Sequence, residues 1–168
     1  KLAGPGDIIR MEQDEKQGRL VFKVGNITRR MNLVDTSGMS DARVPQLTLS
    51  GKVGISVDHL QRGIRAAESI SDHISIRADS EGFELSSEGD TDSASLRVEK
   101  ADLASLDVPS PVCSLFPLDY FSNLVKAVPG GTVITVELDN DYPVRMLFGL
   151  ADDAVDVSYF LAPRIESD

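Results

Sequence analysis

Cysteine is almost absent. Cys113 is the only one in 168 residues, which excludes an intrachain disulfide and a cysteine-rich zinc site. No apolar run approaches the ~18 residues of a membrane-spanning helix. The opening Lys1-Leu2-Ala3-Gly4-Pro5-Gly6 is not a secretory signal. Familiar catalytic signatures are missing as well: there is no GxSxG elbow, no P-loop and no GxGxxG turn. The two histidines, His59 and His73, lack metal-ligand spacing, and each is expected to be structural or solvent-exposed. Cys113 lies inside an apolar run and reads as a buried small residue, not as a nucleophile.

Lysine is also scarce. Lys1, Lys16, Lys23, Lys52, Lys100 and Lys126 stand against 27 Asp and Glu, and the formal net charge is −10. A generic nucleic-acid coat protein is basic, so that role is disfavoured. A protein that confines its positive charge to one surface is not. Lysine depletion together with acidity reads as adaptation to a high-salt cytoplasm. At ~1 M salt the Debye length falls to ~3 Å and carboxylate repulsion becomes cheap. An ordinary acidic mesophilic protein is the other reading.

What is present is a chain with 41% hydrophobic residues, enough for one domain, or for one domain and part of another. It contains an internal repeat. Lys1 and a Gly/Pro turn precede the alternating run Ile8 to Asp14. Lys126 and Pro129-Gly130-Gly131 precede a similar run, Val133 to Asp139. Arg19-Leu20-Val21-Phe22 answers Arg145-Met146-Leu147-Phe148, and a third strand follows each, Ile27 to Leu33 and Val155 to Leu161. The first copy opens in mid-unit and without an initiator Met, so the chain is expected to be N-terminally incomplete.

The second copy reads in full. Lys52 to Ile55 predicts a short strand. Ser56 to Ser71 predicts a helix capped by Ser56, with Leu60, Gly63, Ile64, Ala67 and Ile70 on one face. Asp58, Arg62, Arg65 and Ser69 lie opposite. Strands are expected at His73 to Asp79, Phe83 to Ser87, Ser93 to Lys100 and Val112 to Phe116. Pro117 to Val128 predicts a second helix, with Leu118, Phe121, Leu124, Val125 and Val128 inward. Asp119, Ser122, Asn123 and Lys126 then face out. Three strands finish the chain. The unit is two strand–helix–three-strand halves, an α+β pattern of antiparallel sheet with helices on one face. The polar stretch Asp35 to Gln46 between the copies reads as an interdomain connector.

No catalytic constellation emerges, which leaves a binding or scaffold protein. Asp139 and Asp141, and the pair Asp152-Asp153, read either as solvated turns or as a divalent-cation site. Arg62 and Arg65 share an exposed helix face, Lys126 is exposed on the second helix, and Lys1 takes the equivalent place in the first copy. Spacing alone reads them as solvated surface cations, and repeat symmetry as a shared positive surface.

Tyr159-Phe160-Leu161-Ala162-Pro163-Arg164-Ile165-Glu166 closely resembles the terminal motif of the DNA sliding clamps, the proliferating cell nuclear antigen family, with Arg164 where Lys is common. Leu115-Phe116-Pro117-Leu118-Asp119-Tyr120-Phe121 with Lys126-Ala127 resembles that family's last helix. Asp141-Tyr142-Pro143, and Lys1-Leu2-Ala3-Gly4 followed by Asp7-Ile8-Ile9, also fit. The acidity suggests the archaeal, halophilic branch.

The resemblance implies a sliding-clamp fold, with antiparallel sheets outside and helices lining a ring. Residues 1–34 would be the C-terminal part of clamp domain 1, 35–48 the interdomain connector and 49–168 clamp domain 2. It implies a DNA polymerase processivity factor, not an enzyme, with no catalytic residues, cofactor or metal. Such a protein is a homotrimer around duplex DNA that tethers DNA polymerase, flap endonuclease, DNA ligase and the clamp loader in the archaeal cytosol. By position, Lys1, Arg62, Arg65 and Lys126 would face DNA. Val44, Pro45, Pro143, Phe160, Ala162, Pro163, Arg164 and Ile165 would bind a partner's short motif. Asn26, Ile27, Thr28 and Arg29 would meet Ser95, Leu96 and Arg97 of the next subunit. A subunit of a checkpoint-type heterotrimeric clamp and an acidic metal-binding domain are the alternatives.

Overall fold

The computed structural model describes residues 3–4, 6–35, 37, 46–150 and 154–164. Lys1, Val44, Pro45 and Ile165, and the pair Asp152-Asp153, lie outside them. The chain divides into two compact units, Lys1–Gln46 and Leu47–Asp168. The first is an antiparallel meander of β1 (Ile9–Asp14), β2 (Arg19–Val24) and β3 (Ile27–Asn32). Gly18 and Gly25 take positive φ in its two turns, which suits residues without a Cβ.

The second unit runs β4 (Gly51–Ser56), α1 (Val57–Ala67), β5 (His73–Asp79), β6 (Gly82–Glu88), β7 (Ser93–Glu99), β8 (Ser105–Asp107), β9 (Val112–Pro117), α2 (Leu118–Lys126), β10 (Val133–Leu138), β11 (Val144–Leu150) and β12 (Val155–Leu161). Its strands form two antiparallel sheets, β12-β11-β10-β4-β8 and β7-β6-β5-β9. Each half therefore lends its first strand to the other half's sheet. β4 pairs with β10, Ile55 opposite Ile134. β9 pairs with β5, Phe116 opposite Ile74. Both repeat copies end in the same three-strand meander, β1-β2-β3 and β10-β11-β12.

Helix α1 forms where the apolar period predicts it. The Ser56 hydroxyl accepts the Asp58 amide at 3.3 Å, and Val57, Leu60, Gly63, Ile64 and Ala67 are buried. An isolated helix of 11 residues is marginal in water, so packing holds it. It lies against β4, β5, β6, β7 and α2, while α2 packs on β5, β9 and β12. Phe83, Phe116 and Phe121 are fully buried in the shared core.

Three expectations need correction. Ser122 is buried instead of facing out, and Leu124 is only partly buried, because the Ser122 hydroxyl reaches the side-chain carboxylate of Glu68, whose backbone amide closes α1 on Ile64 O. Cys113 is partly exposed, with its sulfur 3.4 Å from the Ser75 hydroxyl on the neighbouring strand. The strand β8 and the short 3-10 turn Lys100–Asp102 were not foreseen. β8 is three residues with one inward side chain, too short for an alternating pattern.

The β5–β6 turn is held by charge. Asp79 accepts Arg97 Nη1 at 3.1 Å and Nη2 at 2.8 Å, and the backbone amides of Glu81 and Gly82 at 2.9 and 3.0 Å. Arg97 first, then these amides, hold the Asp79 carboxyl down at about 2. A carboxyl depressed in the folded state adds stability that is fully present above its unfolded value of about 3.9. That stability is lost as pH falls through the folded value. Asp79→Asn is therefore expected to be less stable than the parent at pH 7, with the gap closing between pH 4 and 2. Denaturant unfolding across that range checks this, and a gap that stays constant down to pH 2 would refute it.

A Cβ on Gly82 would run into the Val98 carbonyl oxygen on β7, which the sheet cannot move cheaply. Gly82→Ala is expected to cost about 1–3 kcal/mol in the same assay. An unchanged midpoint would show that β6 and β7 can separate without loss.

Candidate functional site

Two groups of sequence-singled residues gather on the second unit. On the helix layer, Arg62 and Arg65 are exposed, three residues apart on α1. Neither joins an ion pair among the described residues. Lys126 is exposed in the last turn of α2, but its ammonium is 2.9 Å from Glu68 Oε1. Glu68, the residue that caps α1, also accepts the Ser122 hydroxyl at 3.1 Å. Lys126 and then Ser122 hold the Glu68 carboxyl below its usual range. Asp58 and Asp119 add negative charge in the first turns of the two helices. On the two helices and the Glu68 cap themselves, three cations face three carboxylates, inside a strongly acidic chain.

The other group lies where β11 and β12 meet β9. The turn from Asp139 to Tyr142 folds over the β9 edge. The Asp141 amide donates to Cys113 O at 3.2 Å, the Ser114 hydroxyl to Asp139 O at 2.7 Å, and the Cys113 amide to Asn140 Oδ1 at 2.8 Å. Asp139 itself receives the Asn140 and Ser50 amides, which lower its carboxyl pKa. Pro143 follows, and Val144 pairs with Leu161. Phe160 lies opposite Arg145 on β11, and Tyr159 meets Phe148 edge-on at 5.5 Å. Beyond Leu161 the chain continues along β9. The Arg164 amide donates to Leu115 O at 2.7 Å, and the Arg164 guanidinium contacts His73 Nε2. His73 Nδ1 in turn lies 2.5 Å from the Asp72 carboxylate. Pro143, Phe160, Ala162, Pro163 and Arg164 are thereby brought to one end of the five-stranded sheet.

The residues assigned to subunit contacts occupy two sheet edges. β3 has a hydrogen-bonded neighbour on one side only, and Ile27, Thr28 and Arg29 are exposed on it, with Asn26 in the preceding turn. β7 is the edge of the four-stranded sheet and carries Ser95, Leu96 and Arg97. Arg97 also lies near Glu84 at 3.6 Å and Glu99 at 3.5 Å. Among the described residues, no group of three or more His, Cys, Asp or Glu is arranged to hold a metal ion.

Glu68 carries no functional signal in the sequence, and His73, expected to be structural or exposed, has a structural contact that the sequence does not locate. Glu68 sits three residues beyond Arg65, a visible helical spacing, but its reach to α2 is tertiary. His73 was read as structural or exposed, and nothing local in the sequence brings it to Arg164, ninety-one residues away.

Residues 43–164 match the family model for the C-terminal domain of proliferating cell nuclear antigen. The DNA polymerase sliding clamp of Methanococcoides burtonii is 36% identical over 99% of this chain and 68% of its own length. That of Methanosarcina mazei is 38% identical over the same shares. The solved structure of the C-terminal region of FEN-1 bound to A. fulgidus PCNA superposes with a TM-score of 0.81 at 31% identity. It covers 98% of this chain and 67% of that one. With antiparallel sheets, two helices and a tail laid along β9, the chain belongs to the proliferating cell nuclear antigen family.

Proposed function

We propose that this chain acts as a DNA polymerase sliding clamp, a non-enzymatic processivity factor that works as a homotrimeric ring around duplex DNA. The observation that carries the reading is the similarity to archaeal clamps over 99% of the chain. In this reading residues 1–34 belong to a first clamp domain, 35–48 connect and 49–168 form a second domain. The division of the chain after Gln46 supports that assignment. Arg62, Arg65, Lys126 and Lys1 face DNA. The edges β3 and β7, through residues 26–29 and 95–97, pair between subunits and leave fewer strand edges open.

The site at the β9 edge is the proposed partner groove, with Pro143, Phe160, Ala162, Pro163 and Arg164 as its wall; Val44, Pro45 and Ile165 are assigned to partner binding by resemblance alone. A partner's short turn inserts an aliphatic and aromatic plug there. The bound FEN-1 segment on the similar A. fulgidus protein supports a flap endonuclease as one partner. Polymerase, ligase and clamp loader use the same groove. The protein works inside the cell, on replicating DNA, and carries out no chemistry of its own.

The mechanism needs little affinity. Each phosphate contact adds about −0.9 to the salt slope. Two arginines per chain would then lose about 60-fold in affinity for a tenfold rise in salt. A closed ring loses those contacts and stays threaded, and sequence-independent backbone contacts permit sliding.

Calorimetric titration in concentrated KCl with a Gln-x-x-Leu-x-x-Phe-Phe peptide tests the groove. Saturation near one peptide per chain is expected, with no saturation for a variant lacking Ala162 to Asp168. Equal binding by that variant, or none by the full-length protein, would overturn the assignment. The DNA face is tested by Arg62→Glu with Arg65→Glu. Processivity on primed DNA is expected to fall severalfold while light scattering still reports the assembled ring. Unchanged processivity would remove these arginines from the DNA path.

A further inference from the structure

We propose that Glu68 is a built-in competitor for DNA phosphate, holding the Lys126 ammonium against the protein and so weakening the clamp's grip on the duplex. This deepens the reading above and rests on α1 and α2 facing DNA. Glu68 Oε1 takes the place a phosphate oxygen would occupy, 2.9 Å from Lys126 Nζ. The carboxylate is not free to swing away at no loss, because the same oxygen accepts the Ser122 hydroxyl at 3.1 Å, and Ser122 is buried. Arg65, three residues back on α1, adds a second attraction to it. The groove between the helix ends, about 320 Å³, is lined by Glu68, Asp72, Asp119 and Lys126. Of the three carboxylates lining it, Glu68 is the one within ion-pair distance of the amine. Of the three described cations on this layer, Lys126 alone has an internal anion within ion-pair reach.

The physical consequence is specific. A cation held on a carboxylate makes no phosphate contact, and so it displaces no counterion from DNA. Binding is then weaker and less salt-sensitive than the number of cations implies. For a ring held by topology this is an advantage, since each broken contact lowers the friction of sliding.

The test uses the assembled full-length ring and a fluorescent 40-base-pair duplex, with affinity read by anisotropy over a KCl series. Glu68→Gln keeps an oxygen for Ser122 and removes the charge that holds Lys126. It is expected to bind about two- to fivefold tighter at low salt, the range a surface ion pair spans. Its log–log salt slope should steepen by about 0.9 for each chain in contact. Glu68→Asp, one methylene shorter but still charged, should steepen the slope in the same direction. In a Lys126→Gln background, Glu68→Gln should leave the salt slope unchanged and raise affinity by less than about twofold. A gain as large as in the parent background would assign the effect to general charge and overturn the proposal. So would an unchanged slope in both Glu68 variants while the parent ring still binds. Absence of duplex binding by the parent at every salt concentration would instead overturn the clamp reading itself, and this inference with it.

Discussion

The exchange of first strands between the two halves of the second unit is the constraint on which the rest depends. Because β4 pairs with β10 and β9 with β5, neither half can bury its sheet without the other. The helix that follows each lent strand is carried to the same layer, so α1 and α2 pack side by side over one continuous core. That core is apolar and complete: Phe83, Phe116 and Phe121 are fully buried. No buried side-chain polar atom among the described residues lacks a partner. The helix surface can therefore be given over to charge without cost to folding.

The same exchange builds the tail site. β9 sits at the edge of the four-stranded sheet, and its free edge would expose unpaired amides and carbonyls. The β10–β11 turn and the tail satisfy them instead, through Asn140, Asp141 and Arg164. The tail is thus fixed by the backbone bond from Arg164 to Leu115, on a strand of the opposite sheet. His73 and Asp72, at the start of the neighbouring strand β5, hold its side chain. Both anchors are at Arg164, one main-chain and one side-chain, while Ala162 stays exposed and Pro163 is half-buried.

Much of this was legible. The alternation Ile74, Ile76, Ala78 and the 3.6-residue period of Leu60, Ile64 and Ala67 are local signals, and they placed β5 and α1 to within a few residues. The repeat predicted the shared meander because each copy keeps its Gly/Pro turn and its alternating strands. What failed was tertiary. Ser122 has a polar side chain at a position that faces α1, and only the contact with Glu68 makes its burial tolerable. Cys113 stands in an apolar run, yet its strand alternates, and it falls on the outward side between Val112 and Ser114. Lys126 read as a free cation because its anion lies fifty-eight residues earlier. The candidate site was legible through its terminal motif, a matter of resemblance; its physical anchor, His73, was not.

The assembly edges proposed above, β3 and β7, are two of the six terminal strands of the three sheets. β3 and β7 belong to different units and differ in character. β3 exposes Ile27 and Met31 beside Arg29 and Arg30, whereas the Arg97 of β7 is already surrounded by Asp79, Glu84 and Glu99. Unlike edges that pair make a head-to-tail contact. Repetition of such a contact closes into a ring when the rotation between copies divides a full turn, and otherwise extends into a filament. In the proposed pairing the arginines of β3 would meet an edge whose own Arg97 is offset by Glu99 on β7 and by Glu84 and Asp79 on the strands behind it. In that pairing, backbone bonds would supply register and the opposite charges the choice of partner edge. A protein whose hold on DNA depends on closure, and not on contact strength, can therefore remain acidic overall and still encircle a polyanion.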